Sequence, residues 1–117
     1  MTFLHEKNCT ACYSGASQLP AQELAEGLAR LREWTHEKVE GVDRLKRVYS
    51  FKNFALALQF TQVVGLLAEE FNHHPAILTE WGKVTVTWWT HKIRGVHEND
   101  LIMAAKTEHA FENATVS

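Results

Sequence analysis

The stretch from Phe51 to Asn72, FKNFALALQFTQVVGLLAEEFN, constrains the fold more than any other part of the chain. Asn53 is a good N-cap residue, so a helix is predicted to begin directly after it. The apolar side chains that follow cover most of the helix circumference and are Phe54, Leu58, Phe60, Val64, Leu67 and Phe71. A narrow polar seam remains at Gln59, Gln62 and Glu69. A helix this apolar needs cover on more than one side, so we expect it to pack on a sheet and against other helices or a second subunit.

Pro75 is predicted to end this helix, because proline lacks an amide hydrogen and restricts the residue before it. On both sides of the helix the apolar period changes to that of a β-hairpin. The first hairpin is predicted over residues 34–40 and 44–51, with Gly41 in its turn, and the second over residues 76–81 and 84–91, with Gly82 and Lys83 in its turn.

Each hairpin carries an apolar face. In the first, Leu45, Tyr49 and Phe51 share a face that Arg47 interrupts. Because side chains alternate along a strand, the last strand places Val84, Val86 and Trp88 on one face and Thr85, Thr87, Trp89 and His91 on the other. We therefore expect Trp88 to be a core residue and His91 to point away from the aliphatic face.

Two further helices complete the pattern. Leu24, Leu28 and Leu31 recur at helical spacing after Pro20, which predicts a helix over residues 20–33. The last helix is predicted to open between His97 and Asp100. The order is αββαββα, which predicts an α+β fold with a four-stranded antiparallel sheet and helices packed on one face.

The chain has 117 residues, enough for one domain with its own core but too few for two. Residues 1–18 show little periodicity and are predicted to form an N-terminal arm, which leaves a single domain over residues 19–117. The arm carries Cys9 and Cys12 as a CxxC pair, the spacing of half a zinc site or of a redox pair. His5 is a third candidate ligand, but the fourth would have to come from elsewhere, so two reduced thiols are the favoured interpretation.

Charge and hydropathy argue against several classes of partner. The net charge of -2 shows no basic excess, so no nucleic-acid partner is expected. No apolar run approaches the roughly 18 residues that a membrane span needs, and the N-terminus lacks the apolar core of a signal peptide. We therefore expect no membrane association and a cytoplasmic location.

Three histidines are the candidates for chemistry: the adjacent pair His73 and His74, which precedes Pro75, and His91. Pro75 forces His74 toward an extended backbone, so the two adjacent rings are expected to diverge. A histidine at a helix C-terminus is by itself more typical of a partner for the helix dipole than of a catalyst. The conjunction of three imidazoles with nearby carboxylates and aromatic side chains favours a functional site.

Carboxylates flank these histidines. If the helix continues to the pair, Glu69 lies one turn before His73, and Glu70 lies one turn before both histidines, where a carboxylate can hold an imidazole and fix its tautomer. Asp100 is three residues into a helix opening, which by itself is typical of a capping carboxylate.

The three imidazoles allow either a zinc site with an open position or a metal-free acid–base site. Metal-binding histidines are usually spaced so that their rings converge, as at i and i+4 on a helix, whereas adjacent residues here are expected to diverge. Imidazole, with a pKa of about 6.5, both accepts and donates protons near neutral pH. The acid–base interpretation, with no metal, is therefore favoured.

The spacing of these residues resembles the signature of the pterin-4a-carbinolamine dehydratases. The residues that carry the resemblance are Glu69, His73, His74, Pro75, Trp81, His91 and Asp100. Trp34, the FKNF stretch from Phe51 to Phe54 and the loop containing Gly95 also look like features of this family. The resemblance covers roughly residues 19–111. His97 departs from it, because a Ser or Thr cap is common before the last helix.

The resemblance implies the same αββαββα fold, assembly as a homodimer or homotetramer, and no metal or organic cofactor. It implies loss of water from 4a-hydroxytetrahydrobiopterin, or a related 4a-hydroxytetrahydropterin, to give the quinonoid dihydropterin. This step recycles the pterin after an aromatic amino acid hydroxylase, typically phenylalanine hydroxylase, has used it. Some family members are also dimerisation partners of a homeodomain transcription factor, so a non-enzymatic interaction module of the same fold is the alternative.

The resemblance also assigns roles to residues. His73, His74 and His91 match the three active-site histidines, and we hypothesise that His73 and His91 transfer protons while His74 binds and polarises the pterin. Glu69 and Asp100 are expected to orient imidazoles or to support loop structure. Trp34 matches a tryptophan that stacks on the pterin or walls the site, and Pro75 and Trp81 complete the set expected to bind or orient the substrate.

Overall fold

The computed structural model describes residues 20–114, so the predicted N-terminal arm with its CxxC pair lies outside the described residues. The elements along the chain are α1 (Ala21–Ala29), β1 (Thr35–Val39), β2 (Val42–Ser50), α2 (Phe54–Phe71), β3 (Ala76–Glu80), β4 (Lys83–Trp88) and α3 (Glu98–Ala114). A short 3-10 turn, His91–Ile93, lies between β4 and α3. The predicted order αββαββα is confirmed.

The four strands form one antiparallel sheet in the order β1-β2-β4-β3. Each hairpin is closed by a two-residue turn. In the first turn Glu40 and Gly41 both have positive φ, 51° and 78°, which matches the twist of the strands they join. In the second turn Gly82 has φ 77°, and a Cβ there would lie 3.2 Å from the carbonyl oxygen of Phe51. Only glycine meets both conditions without strain.

The core lies between one face of this sheet and the helices. The inward side chains of the two central strands that are fully buried are Leu45, Tyr49, Val84, Val86 and Trp88. The residues of α2 that pack toward them are Ala57, Phe60, Val64 and Ala68, which recur at helical spacing. The predicted placement of helices on one face of the sheet is confirmed, and Trp88 is a core residue as expected.

Arg47 interrupts the inward face of β2 because it has a partner inside the protein. Its guanidinium pairs with Glu108 of α3 and lies 4.2 Å from the ring centroid of Tyr49. The same carboxylate oxygen accepts hydrogen bonds from Trp34 Nε1 and from the Tyr49 hydroxyl, each at 2.9 Å. Burial raises the pKa of the Tyr49 phenol well above its usual range, and the Glu108 carboxylate adds to the rise.

The opposite side of α2 is exposed, and its apolar residues there include Phe54, Leu58, Val63 and Leu66. By length and composition alone α2 is the one helix among residues 20–114 that could cross a membrane. Polar residues such as Gln59, Gln62 and Glu69 interrupt its apolar sequence, and the absence of membrane association stays a prediction. A helix packed in a protein core can have the same length and composition, and α2 packs on the sheet through its other side.

Three predicted boundaries are wrong. The first helix ends at Ala29 and not at residue 33, because the chain turns back toward β1 through backbone hydrogen bonds such as Trp34 N–H to Leu31 O at 2.9 Å. Helix α2 ends at Phe71 and does not continue to Pro75, because its C-cap residue Asn72 adopts the left-handed conformation with φ 51°. Strand β4 ends at Trp88, and His91 begins the 3-10 turn instead of closing a strand.

Candidate active site

The reversal at Asn72 separates the two adjacent histidines. A left-handed residue at a helix end turns the chain away from the helix axis, and the amide of His73 then donates back to Ala68 O at 3.1 Å. The side chain of His73 is only 7% exposed, whereas that of His74 is 54% exposed. The rings therefore diverge as predicted, one into the protein and one into solvent.

His73 contacts a carboxylate that is distant in the sequence. Its Nε2 lies 2.6 Å from Asp100 Oδ1, and Asp100 is fully buried in the first turn of α3. The second oxygen, Oδ2, accepts hydrogen bonds from the Thr90 hydroxyl at 2.7 Å and from the His97 amide at 2.8 Å. Asp100 therefore has the expected capping role through one carboxylate oxygen and contacts the imidazole of the candidate site through the other.

Glu69 binds His74 and not His73. Its Oε2 lies 2.5 Å from His74 Nε2, and both side chains are mostly exposed. The predicted partner of His73 is wrong because the i to i+4 geometry requires a continuous helix, and Asn72 ends the helix before the pair. The Glu69 carboxylate can therefore hold the exposed imidazole, while the Asp100 carboxylate contacts the buried one.

His91 lies just beyond β4, at the first residue of the 3-10 turn. A backbone bridge between Thr90 and Gly95 closes this turn, with Thr90 N–H donating to Gly95 O at 2.8 Å. The His91 side chain is exposed, and its ring centroid lies 4.5 Å from that of Trp89. The Arg44 guanidinium lies over the Trp89 ring, 4.1 Å from its centroid. The Trp89 ring therefore contacts a cation as well as the His91 imidazole.

Thr90 connects the buried and exposed imidazoles. Its hydroxyl holds Asp100, which binds His73, and its backbone leads directly into His91. Sequence reasoning missed Thr90, although a signal was present: the alternation of β4, continued past Trp88, places residue 90 on the inward face. A hydroxyl that follows three apolar residues on a buried face needs a partner there, and that partner is Asp100.

Trp88 is the second residue whose place at the site was missed. Its indole is stacked almost parallel to the His73 imidazole, with a centroid distance of 5.6 Å and an interplanar angle of 9°. The interpretation of Trp88 as core is correct, but the same ring also forms one wall around His73. Nothing in the spacing of the motif indicated this contact, because it depends on the reversal at Asn72.

The other residues predicted to bind or orient the substrate are Trp34, Pro75 and Trp81, and they lie in different elements of the fold. Trp34 is buried and donates to Glu108, two turns beyond Asp100 on α3, and it packs edge-on against Tyr49. Trp81 is 72% exposed in the second hairpin turn, and Pro75 is half-buried just before β3. A contact of these three residues with substrate stays a prediction.

Within residues 20–114, no group of three or more His, Cys, Asp or Glu side chains is arranged to hold a metal ion. What the described residues do bring together is a buried imidazole–carboxylate pair linked through Thr90 to a second, exposed imidazole. Such a pair can orient a ring and stabilise its protonated form, which is what general acid–base catalysis requires. The fold and this cluster define an α+β protein with a candidate site built around two histidines.

Comparison with known proteins identifies the family. Residues 17–110 match the family model described as Pterin 4 alpha carbinolamine dehydratase, and the chain belongs to this family. The resemblance seen in the motif is thus confirmed. The family is one of lyases, and the chain is assigned to that class of enzyme.

Two relatives illustrate the match. A protein of Syntrophotalea carbinolica with the provisional name pterin-4-alpha-carbinolamine dehydratase is 53% identical over 112 residues, which are 96% of this chain and 100% of that protein. A crystal structure from Brucella melitensis, described as a transcriptional coactivator/pterin dehydratase, is 36% identical with a TM-score of 0.70. The similarity covers 79% of this chain and 96% of the Brucella chain.

Proposed function

We propose that this chain removes water from 4a-hydroxytetrahydrobiopterin, or from a related 4a-hydroxytetrahydropterin, to give the quinonoid dihydropterin. Membership of the dehydratase family supports the reaction class. The observation that carries the proposal is the chain of contacts from His73 through Asp100 to Thr90, which lies next to His91. It joins two imidazoles of the signature to one carboxylate.

The reaction needs two proton transfers and no electron transfer. The bond between carbon 4a and its hydroxyl oxygen breaks, and a proton delivered to that oxygen lets it leave as water. A proton leaves the pterin ring, and the electron pair it releases forms the new ring double bond. Because no substrate atom is oxidised or reduced overall, the reaction needs no redox cofactor, and in the proposed mechanism the imidazoles transfer the protons without a metal.

In this proposal His73 and His91 carry the proton transfers. His91 is exposed, so a pterin arriving from solvent can reach its ring directly. His73 is buried, and the Asp100 carboxylate contacts its Nε2 at 2.6 Å and so orients the ring. His74, held by Glu69, binds and polarises the pterin from the solvent side. The proposed surroundings of the substrate also include Trp34, Pro75 and Trp81.

The proposed cellular role is recycling of tetrahydrobiopterin after an aromatic amino acid hydroxylase, with phenylalanine hydroxylase as the functional partner, in the cytoplasm. We further propose assembly as a homodimer or homotetramer. The exposed apolar side of α2 supports assembly, because a row of apolar side chains on one helix is costly to leave in water. The same surface supports the alternative of a non-enzymatic interaction module.

Substitution of the histidines tests the catalytic proposal. His91→Ala is expected to lower the rate of carbinolamine disappearance by roughly 100-fold or more, as loss of a general acid or base usually does. His73→Gln is preferred to alanine at the buried position, because glutamine retains a polar group beside Asp100, and a similar loss is expected. His36→Ala is the matched control, since His36 is an exposed histidine of β1 that binds Asp43.

Wild-type rates in both the His91 and His73 variants would contradict the assignment. An interaction module with no enzymatic role predicts no dehydration above the uncatalysed rate for any of these proteins, including wild type. Leu66→Glu tests assembly separately, because Leu66 is 72% exposed on α2. It is expected to shift the sedimentation of the oligomer toward the monomer.

A further inference from the structure

Trp88 and His73 form a buried stacked pair that lies beneath the site described above. The strand β4 ends at Trp88, and the inward direction of its side chain places the indole parallel to the His73 imidazole. Trp88 is fully buried and His73 nearly so. A nearly parallel arrangement at 5.6 Å between centroids is an offset stack, one of the favoured geometries for two flat rings.

A hydroxyl of α3 fixes the direction of this indole. Trp88 Nε1 donates to Thr107 Oγ1 at 3.2 Å, and the Thr107 hydroxyl in turn donates to Met103 O at 2.7 Å. Thr107 is also fully buried. An indole N–H left without an acceptor in this place would cost about 1–3 kcal/mol, so the hydroxyl favours one orientation of the Trp88 ring over its flipped alternative.

Asp100 and Trp88 contact different parts of the His73 ring. Asp100 contacts the ring at one edge, through Nε2, and the Trp88 indole lies against one of its faces. A flat surface against the imidazole face opposes rotation of the ring out of its plane, because such rotation would drive the ring into the indole.

We propose that Trp88, held by Thr107, is a positioning residue that sets the plane of the His73 ring for proton transfer. The catalytic part of this inference rests on the proposed dehydratase function. Neither residue belongs to the motif that identified the site, and neither need touch the substrate. The pair acts through His73, so its effect should appear in the turnover number more than in substrate binding.

Variants of the two residues separate the contributions. Trp88→Leu removes the flat face and is expected to lower kcat about 10-fold with little change in KM, since a misplaced catalytic group slows the chemical step. Trp88→Phe retains a flat face and is expected to restore most of kcat. Thr107→Val removes the acceptor at nearly constant volume and should lower kcat, whereas Thr107→Ser should not.

Two controls distinguish positioning from loss of stability. In Trp88→Phe the ring no longer needs an acceptor, so adding Thr107→Val is expected to cost no further kcat. Phe60→Leu is the matched core control, because Phe60 is a buried aromatic residue of α2 that packs on Tyr49. It should lower the melting temperature while leaving kcat unchanged at temperatures where every variant is folded.

Nuclear magnetic resonance of the free protein decides the inference independently of activity. The carbon-bound ring protons of His73, assigned by their loss in His73→Gln, are expected to be shifted by the ring current of Trp88. This shift should vanish in Trp88→Leu and change in Thr107→Val. Loss of the shift with kcat unchanged would overturn the catalytic part, and His73 resonances unaltered in Trp88→Leu would overturn the whole inference. An inactive wild type would refute the proposed function, while the resonances would still show whether Trp88 and Thr107 hold His73.

Discussion

Asp100 Oδ1 lies 2.6 Å from His73 Nε2, although the two residues are 27 positions apart in the chain. The contact joins the end of α2 to the start of α3, across the end of β4. Oδ2 of the same carboxylate accepts hydrogen bonds from the Thr90 hydroxyl and the His97 amide. One buried side chain therefore holds together the segments that carry His73, Thr90 and His97. The site is therefore built on the packing of the fold and not on a separate loop.

Asp100→Asn is expected to weaken both the fold and the reaction. The asparagine NH₂ would face either the Thr90 hydroxyl and the His97 amide or the His73 ring, and a buried mismatch of donors costs about 1–3 kcal/mol. The dehydration rate should also fall roughly 10-fold or more, because the His73 ring loses the carboxylate that orients it for proton transfer. Urea unfolding and steady-state kinetics below the melting transition measure the two effects.

Asp43→Asn is the matched control for this variant. Asp43 also binds a histidine, His36, at 2.8 Å, but the pair lies in the first hairpin and is partly exposed. Loss of the Asp43 carboxylate should leave the dehydration rate unchanged. It should change the free energy of unfolding by no more than about 1 kcal/mol. Equal losses of activity in the two asparagine variants would argue against a specific role for Asp100.

Glu69→Gln is expected to affect substrate binding and to leave stability unchanged. The pair of Glu69 and His74 is exposed to solvent, and such pairs contribute at most about 1 kcal/mol, which corresponds to a change in KM of about 5-fold or less. Because salt screens exposed charges, the rise in KM should shrink at high ionic strength. Glu70→Gln, the adjacent exposed carboxylate, serves as control, and identical KM values for wild type and Glu69→Gln at low salt would refute the prediction.

The order of elements could be predicted from the sequence because each element carries its own periodic signal. The apolar circumference of α2 and the alternation in β4 are both local, and the two glycine turns separate the strands of each hairpin. The element ends were less predictable. Asn72 and not Pro75 ends α2, because a left-handed asparagine terminates a helix as well as proline does and occurs earlier in the chain.

The site was predictable as a set of residue types but not as a set of contacts. His73, His74, Glu69 and Asp100 do pair as imidazoles with carboxylates, yet each predicted partner assumed a continuous helix. The pairing of His73 with Asp100 depends on how α3 packs beside β4, which no short-range spacing encodes. The stack on Trp88 has the same origin, since it follows from the packing of α2 against the sheet.

Glu108→Gln is expected to destabilise the protein without slowing the reaction. One oxygen of Glu108 accepts from Trp34, Tyr49 and Arg47, so its amide analogue loses charge-assisted hydrogen bonds and about 1–3 kcal/mol of unfolding free energy. Glu70→Gln, at an exposed position of α2, should have little effect. A rise in KM for Glu108→Gln in the folded protein would instead indicate that Trp34, freed from this bond, contacts the pterin.

Tyr49 is expected to make the protein sensitive to alkaline pH. Burial, and then the Glu108 carboxylate, raise the pKa of its phenol well above the value of about 10 found in unfolded chains. Above about pH 10 the unfolded chain loses this proton while the folded protein retains it, so the unfolded state is increasingly favoured. The contribution of the neutral phenol is fully present below about pH 10 and falls by up to about 1.4 kcal/mol per pH unit above it. Urea unfolding at about pH 8 and about pH 11 should therefore show a larger loss of stability for wild type than for Tyr49→Phe, which has no titrating group at this position. Parallel losses in the two proteins would mean that other groups govern the alkaline transition.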